Sequence, residues 1–510
     1  MLQRNKACKV RAYLTLLQAR PPSLSPGMSE QSVRPASRPF DLESALPWLV
    51  AAAVGLLLVA LAPRLLPDPD TYSHIALGRW ILAHWTVPST DPISGTMRGA
   101  PWIAFEWLSE VAFAGAFAVG SWPGVIALTV FAAGLAFALL TQALAREWQP
   151  VPVGIGLVVG LELVSPHMLA RPHVLAMPLM VGWIASLIRS NDEKRPPDWR
   201  LLPLMTLWAN LHGSFTFGLA MLAPLAMEAA YNCKRGERVR VLRQWAVFAL
   251  LALAAASLNP YGPTMVVGMF RTVALGDALN LILEWRPQDF SHIEPYEIIL
   301  LAAAAAALFY GVTLPPMRIL MLLGLVHLSL AQVRHADLLG LLAPLLLARP
   351  FAQQFAALAA VRPARSLGWL SPAPVLLALV LAAAVNLQPA IAPARTITPE
   401  QAVRAADLRE AGPILNEYAF GGYLEFAGIA PFIDGRGELY GAHYLTRYRN
   451  ALDLRNVADF ERLLDEYQIR TTLLLPHTPA VGLLDRLPGW RRVYTDNVAV
   501  VHQRVSASAP

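Results

Sequence analysis

The chain is expected to be mostly α-helical: a polytopic transmembrane helix bundle of about 11 segments with a small α/β soluble domain at its C-terminal end. Of its 510 residues, 55% are hydrophobic and only 15% charged, where a soluble protein carries about 25% charged residues. Apolar runs recur along most of the length, and from about residue 396 the composition changes to that of a water-soluble domain. An apolar excess of this size has no room inside a soluble core.

The first 45 residues place Arg4, Lys6, Lys9, Arg11, Arg20, Arg34 and Arg38 among Pro and Ser, with no long apolar run of a secretory signal. We expect 1–45 to be a disordered, basic, cytoplasmic tail, and MSEQSVRPASRPF makes Met28 a candidate translation start. The net charge of +6 comes from short basic clusters between apolar runs. Orientation in a membrane accounts for these, and nucleic-acid binding is discarded. With only Cys8 and Cys233, neither a disulfide framework nor a cysteine metal site is expected.

Crossing about 30 Å of hydrocarbon takes about 20 residues of helix, with every backbone polar group bonded internally. Candidate segments are 46–62, 105–120, 125–145, 151–164, 174–188, 201–230 (interrupted near Gly213), 245–258, 298–314, 319–331, 338–348 and 375–387. Together they make a transmembrane bundle over 46–390, and several are short enough to be tilted half-helices. The basic tail puts the start of the first segment in the cytoplasm. An outer loop 63–104 follows, with a second outer loop at 259–296, residues 349–365 inside, and an extracytoplasmic α/β domain over 396–510. Basic clusters at 189–200 and 234–243 would both be cytoplasmic if 201–230 is a hairpin whose tip, NLHGS, faces outward. In the outer loop Tyr72, Ile75, Ala76, Trp80, Ile81 and Trp85 recur at helical spacing and describe a helix lying on the membrane surface. In the C-terminal domain GGYLEF, APFIDGR, TTLLLP and NVAVVHQ read as strands and 457–467 as an amphipathic helix.

Chemistry concentrates at segment ends. DPDTYSH sets Asp68, Asp70 and His74 just beyond the first segment, where two carboxylates and an imidazole can bind a divalent metal, or one carboxylate can serve as a general base. The plainer alternative is that Asp70 caps a helix and Asp68 makes a turn. Asp91 in STDPIS is read as a turn residue. Glu106 and Glu110 stand at a membrane boundary, where an acid is costly unless solvated, paired or functional; Glu106 is either catalytic or an interfacial anchor. SPHMLARPH supplies His167, Arg171 and His173, which could complete a site with Asp68 and Asp70 if the turn faces outward and mark the cytoplasmic side if it faces inward. Arg334 and His335 in QVRHAD, and His212 in WANLHGS, are polar groups that either bond neighbouring helices or bind substrate. The planar fork of Arg334 suits a lipid-linked phosphate. Tyr261 in LNPYG, and Glu284 and Trp285 in LEWRPQDF, could line a sugar pocket or cap turns; FIDGRGELYG is the best functional candidate of the C-terminal domain, although Asp434 and Gly435 after an apolar strand make a turn by default.

On Asp68 and Asp70 in DPDTYSHIALGRWI, on Glu106, and on ARPHVL, the chain over about 46–387 resembles the GT-C class of integral-membrane glycosyltransferases. It is also similar to a set of uncharacterised bacterial membrane proteins that share WANLHG, LNPYG and a late FIDGR. The resemblance implies a polyprenyl-phosphate-linked sugar donor and Asp70 or Asp68 as the base that activates the acceptor. It further implies a divalent metal (Mg, Mn or Zn) held by Asp70, His74 and His173, and Arg334 on the lipid phosphate. His173 stands where members often carry an acid, which weakens the metal set.

The function expected is inverting sugar transfer onto a glycan, lipid or protein acceptor at the outer face of a bacterial inner membrane, with the bilayer and the lipid-linked donor as partners. The alternatives are a transporter or flippase of lipid-linked sugars, which should show internal repeats and midplane charges, and a non-catalytic component of a polysaccharide or envelope assembly.

Overall fold

The computed structural model describes residues 42–273, 276, 283–361, 372–389, 391–395 and 397–505. The tail 1–41, Met28, Cys8 and Arg362 lie outside the described residues. Helix makes up 66% of the described residues. Among the described residues five helices are long and apolar enough to cross a membrane, and Ala45–Ala60, Pro295–Tyr310, Pro316–Ala331 and Ala373–Asn386 are shorter apolar helices.

Helix α1 (Leu42–Ala60) leads into a 3-10 turn at Ala62–Leu65 and then α2 (Asp70–His84). Helix α3 (Trp107–Ala145) is interrupted at Ser121, whose φ of 52° and ψ of −143° are not helical. Pro123 follows two residues later, where it has no N–H for the helical ladder. The break also needs Gly124, since a Cβ there would lie 2.1 Å from the Ala116 carbonyl oxygen. After the break α3 packs beside α1: a Cβ on Gly134 would sit 2.9 Å from the Ala51 carbonyl oxygen. Before it, α3 runs along α2, with the Glu110 carbonyl oxygen 1.9 Å from where a Cβ on Gly78 would be.

The bundle continues with α4 (Pro150–Val164), α5 (Pro172–Asp192), α6 (Leu202–Leu211), α7 (Phe215–Ala220), α8 (Leu222–Asn232), α9 (Arg238–Ala256) and α10 (Thr264–Val273). After a 3-10 turn at Leu283–Trp285 come α11 (Pro295–Tyr310), α12 (Pro316–Ala331), α13 (Ala336–Gln354) and α14 (Ala373–Asn386). Pro150, Pro172, Pro295 and Pro316 open their helices, the position where a missing N–H costs nothing. The interrupted run at 201–230 is a broken hairpin, turned at His212–Ser214, with Trp208 closing on Gly218.

The C-terminal part comprises α15 (Glu400–Ala405), β1 (Ile414–Asn416), α16 (Gly421–Phe426), α17 (Gly437–Leu452), α18 (Val457–Glu466), β2 (Thr471–Leu474), α19 (Pro479–Leu484), β3 (Trp490–Thr495) and β4 (Val500–Arg504). Its four strands are ordered β1-β2-β4-β3, with β1 and β2 parallel and the other pairs antiparallel. Leu415, Phe432, Ile433, Phe460 and Leu474 are among its core residues.

Two readings of the sequence are corrected. GGYLEF is helix α16, and FIDGR is a loop leading into α17. The glycines read as turn signals are there for close backbone approach. The helix over 70–84 does not lie open on a surface either: Thr71 to Gly78 are all buried. Helix α3 covers one side and α16 the other, so a one-sided apolar stripe could not reveal the second cover.

Candidate functional site

The segment after α1 ends in Pro67-Asp68-Pro69, which cannot extend a helix, so α2 starts afresh with Asp70 as its first residue and Asp68 two residues before it. Asp68 Oδ1 accepts the Asp70 N–H at 2.8 Å, the turn expected of Asp68, whereas Asp70 is not the cap: Pro69 stands at that position. Its second oxygen accepts from Arg171 NH1 at 3.1 Å. Asp70 Oδ2 accepts from Arg171 NH2 at 2.7 Å, and Glu284 Oε2 accepts from Arg171 NH1 at 2.6 Å. The other oxygen of Glu284 accepts from Arg334 NH1 at 3.1 Å, and the Arg334 guanidinium lies 4.5 Å above the Trp285 ring. The acids after α1 and the arginine before α13 are thus joined by one continuous series of ion pairs. Its members are 12–25% exposed, so they remain reachable.

Three carboxylates face two guanidinium groups here, and burial does not affect them equally. Burial pushes the Asp70 carboxyl up to about 6, although Arg171 pulls against it. Glu284, held between Arg171 and Arg334, falls to about 2 in spite of its burial. Asp70 is the proton acceptor poised nearest to neutral pH in this series.

A second group adjoins it. His212 Nδ1 accepts the Ser214 N–H at 3.1 Å, so the ring proton sits on Nε2, which faces Glu106 Oε1 at 3.2 Å. His74 is 8% exposed and has no direct hydrogen bond among the described residues. Its Nε2 is 3.7 Å from Glu106 Oε2 and its Nδ1 3.9 Å from Glu110 Oε1. Burial opposes a charge on His74, but the surrounding carboxylates hold its pKa above the ordinary value. Glu106 itself is pushed up to about 7 by burial, offset in part by His74 and Arg171.

Other expected residues take different places. His173 Nε2 lies 2.7 Å from the His167 carbonyl oxygen, and its ring centre is 6.2 Å from that of His212. His335 shares the 3-10 turn Val333–His335 with Arg334. The Tyr261 hydroxyl donates to the Pro88 carbonyl at 2.6 Å and accepts the Ala104 N–H at 2.9 Å, so it fastens the loop between α2 and α3. Asp91 is the turn residue its motif indicated, accepting the Ser94 N–H at 3.1 Å, but it also receives Arg436 NH1 at 2.7 Å. Among the described residues no group of three His, Cys, Asp or Glu side chains is placed to hold a metal ion. Asp70, His74 and His173 each face a different neighbour, so the donor set does not fit a resident cation and no step below runs through one.

Arg171 in SPHMLARPH does meet Asp68 and Asp70, as the sequence allowed if that turn lay on their side. The sequence did not distinguish Arg171 from His167 and His173 as the group that binds both acids. The buried set around Arg436, in the FIDGR motif, gave no signal beyond the motif itself.

No protein-family model and no curated protein matches the chain. Among solved structures, the apo oligosaccharyltransferase of Archaeoglobus fulgidus matches at 10% identity, covering 84% of this chain and 69% of that one with a TM-score of 0.50. The same enzyme in complex with Zn and sulfate matches at 10% identity, covering 84% and 67%, also at 0.50. ArnT from Cupriavidus metallidurans in the apo state matches at 12% identity, covering 92% and 99%, with a TM-score of 0.47. The chain has a GT-C fold. That is the fold its acidic first loop resembled, and it makes the chain a membrane-embedded helical protein.

Proposed function

We propose that the chain is a membrane glycosyltransferase that moves a sugar from a polyprenyl-phosphate donor to a glycan, lipid or protein acceptor at the outer face of a bacterial inner membrane. The observation that carries this reading is the ion-pair series from Asp68 and Asp70 through Arg171 and Glu284 to Arg334. Transfer from a lipid phosphate needs a base at the acceptor and positive charge at the leaving group. Both stand within one connected set of side chains.

In this reading the acceptor hydroxyl attacks the anomeric carbon from the face opposite the phosphate. The new C–O bond forms as the bond to the phosphate oxygen breaks, and the hydroxyl proton passes to Asp70. The polyprenyl phosphate leaves with the electron pair, and the guanidinium of Arg334 neutralises it. A guanidinium has five N–H donors. The bond to Glu284 engages NH1, and the other end of the fork suits phosphate oxygens. Glu106, with His212 and His74, is a second carboxyl near neutral pH and feels the charge of both Arg171 and Arg334.

The placement in the membrane belongs to the same proposal. The basic tail is cytoplasmic and the half-helix 107–120 joins α2 in the outer layer. The hairpin 199–232 crosses twice, and about eleven crossings leave 396–510 outside. The deciding experiment incubates membranes holding the protein with radiolabelled polyprenyl-phosphate sugars. Label should move to an acceptor fraction, and Asp68→Asn with Asp70→Asn should stop it; full activity in that double variant rejects the assignment.

A further inference from the structure

The C-terminal part meets the outer acids through its backbone. A Cβ on Gly422 would lie 2.2 Å from the Pro69 carbonyl oxygen, and one on Gly421 2.3 Å from the Ile433 carbonyl oxygen. A Cβ on Gly435 would lie 2.1 Å from Asp70 Oδ1, 2.8 Å from its Cγ and 3.2 Å from Oδ2. None of these three glycines has a positive φ, so what each position requires is space and not an unusual torsion. The Tyr418 hydroxyl donates to the Gly435 carbonyl at 3.1 Å and covers the same spot.

The loop that carries Gly435 is held by Arg436, whose side chain is only 8% exposed. Arg436 donates to Asp434 Oδ2 and to Asp91 Oδ1, each at 2.7 Å, and to Glu425 Oε1 at 2.9 Å, and it lies 4.8 Å over the Trp102 ring. Asp434 is also bound by Tyr440 at 2.6 Å. Three carboxylates around one guanidinium would leave surplus negative charge. Burial and Asp434 push Glu425 well above the ordinary range and so favour its neutral form. The loop joins α16 and α17 to the outer loop at Asp91 with little freedom to shift.

We propose that the loop 433–437 is part of the catalytic site, with Gly435 the positioning residue for Asp70 and Arg436 the clamp that holds Gly435 there. The inference rests on Asp70 being the base of the transfer described above. The Asp70 carboxylate is gripped between the Arg171 fork on one side and the Gly435 backbone on the other. Arg171, Glu284 and Arg334 form the donor side.

Gly435→Ala must push the Asp70 carboxylate off Arg171. In the purified full-length protein, sugar transfer should fall about 100-fold through kcat, the scale for misplacing a catalytic group by about 1 Å. Affinity for undecaprenyl phosphate should stay within about twofold, because Arg334 is untouched. Gly482→Ala, where nothing lies within 4 Å of the new Cβ, should leave both unchanged. A second readout needs no activity. Gly435→Ala should lower the unfolding temperature of the unaltered chain and have little effect in an Asp70→Gly background, where the clash is relieved. Full transfer by Gly435→Ala, or equal destabilisation in both backgrounds, overturns the proposal. If the unaltered chain transfers no sugar, the glycosyltransferase reading falls separately, and the unfolding cycle alone decides whether Gly435 sets Asp70.

Discussion

Two arginine-centred ion clusters stand at opposite ends of α5, whose 21 residues span about 31 Å. At one end Arg171 joins Asp68, Asp70 and Glu284, all of them 12–23% exposed. At the other Arg318, 2% exposed, binds Glu228 at 2.9 Å, the Leu346 carbonyl at 3.1 Å, and Asp192. Composition hardly distinguishes them, since each sets one guanidinium among acids drawn from separate helices. Access does. Arg318 and Glu228 are sealed, at 2% and 3% exposed, with only Asp192 reaching the surface at 16%; the cluster ties α5, α8, α12 and α13 together, which is a structural lock. The Arg171 cluster is open, passes charge on to Arg334, and leaves an acid near neutral pH. Buried charge marks a site only where something can still reach it.

The largest expected effect breaks the lock. Arg318→Ala leaves Glu228 and Asp192 without their cation and should cost about 3–5 kcal/mol, seen as loss of folded protein in detergent. At the open end, Asp68→Asn with Asp70→Asn should reduce sugar transfer by about 10²–10⁴-fold, the range for a general base. The unfolding temperature should stay near that of the unaltered chain, and a large drop would class this cluster with the lock. Arg334→Ala should weaken polyprenyl-phosphate binding by about 1.5–3 kcal/mol, the worth of a hydrogen bond to a charged group, with Arg334→Lys recovering only part; equilibrium binding measures both.

The pH profile separates the two acids of the open end. A base must be ionised to work, and a raised pKa means it loses its charge at higher pH than usual. With Asp70 at about 6, transfer should rise with pH up to about 6 and level off above it. A shoulder near 7 would transfer the role to Glu106. The smallest effect is that of Trp285→Ala, which removes the ring under Arg334 and should change the donor KM by only about 0.5–1 kcal/mol.

Much of this was legible before any coordinates. Long apolar runs can only be buried in lipid or in one another, so the bundle follows from composition. Asp68, Asp70, Glu284, Trp285 and Arg334 were each singled out by charge or ring character at a segment end, and they converge. Arg171 was harder to see, because an arginine beside a bilayer reads equally well as an orientation signal. Gly421, Gly422 and Gly435 were misjudged for a related reason: a glycine needed for close approach looks the same as one needed for a turn until the neighbouring backbone is known.

The chain itself determined that it would enter a membrane, that its long apolar stretches would be helical, and where its acids and bases would stand along those stretches. Those properties depend on local periodicity and on the cost of exposing backbone to hydrocarbon. Which acid meets which guanidinium, which cluster is sealed, and that a C-terminal loop rests on Asp70 were settled only in three dimensions. Such contacts join residues as far apart as Asp91 and Arg436, and no local pattern records a neighbour that distant.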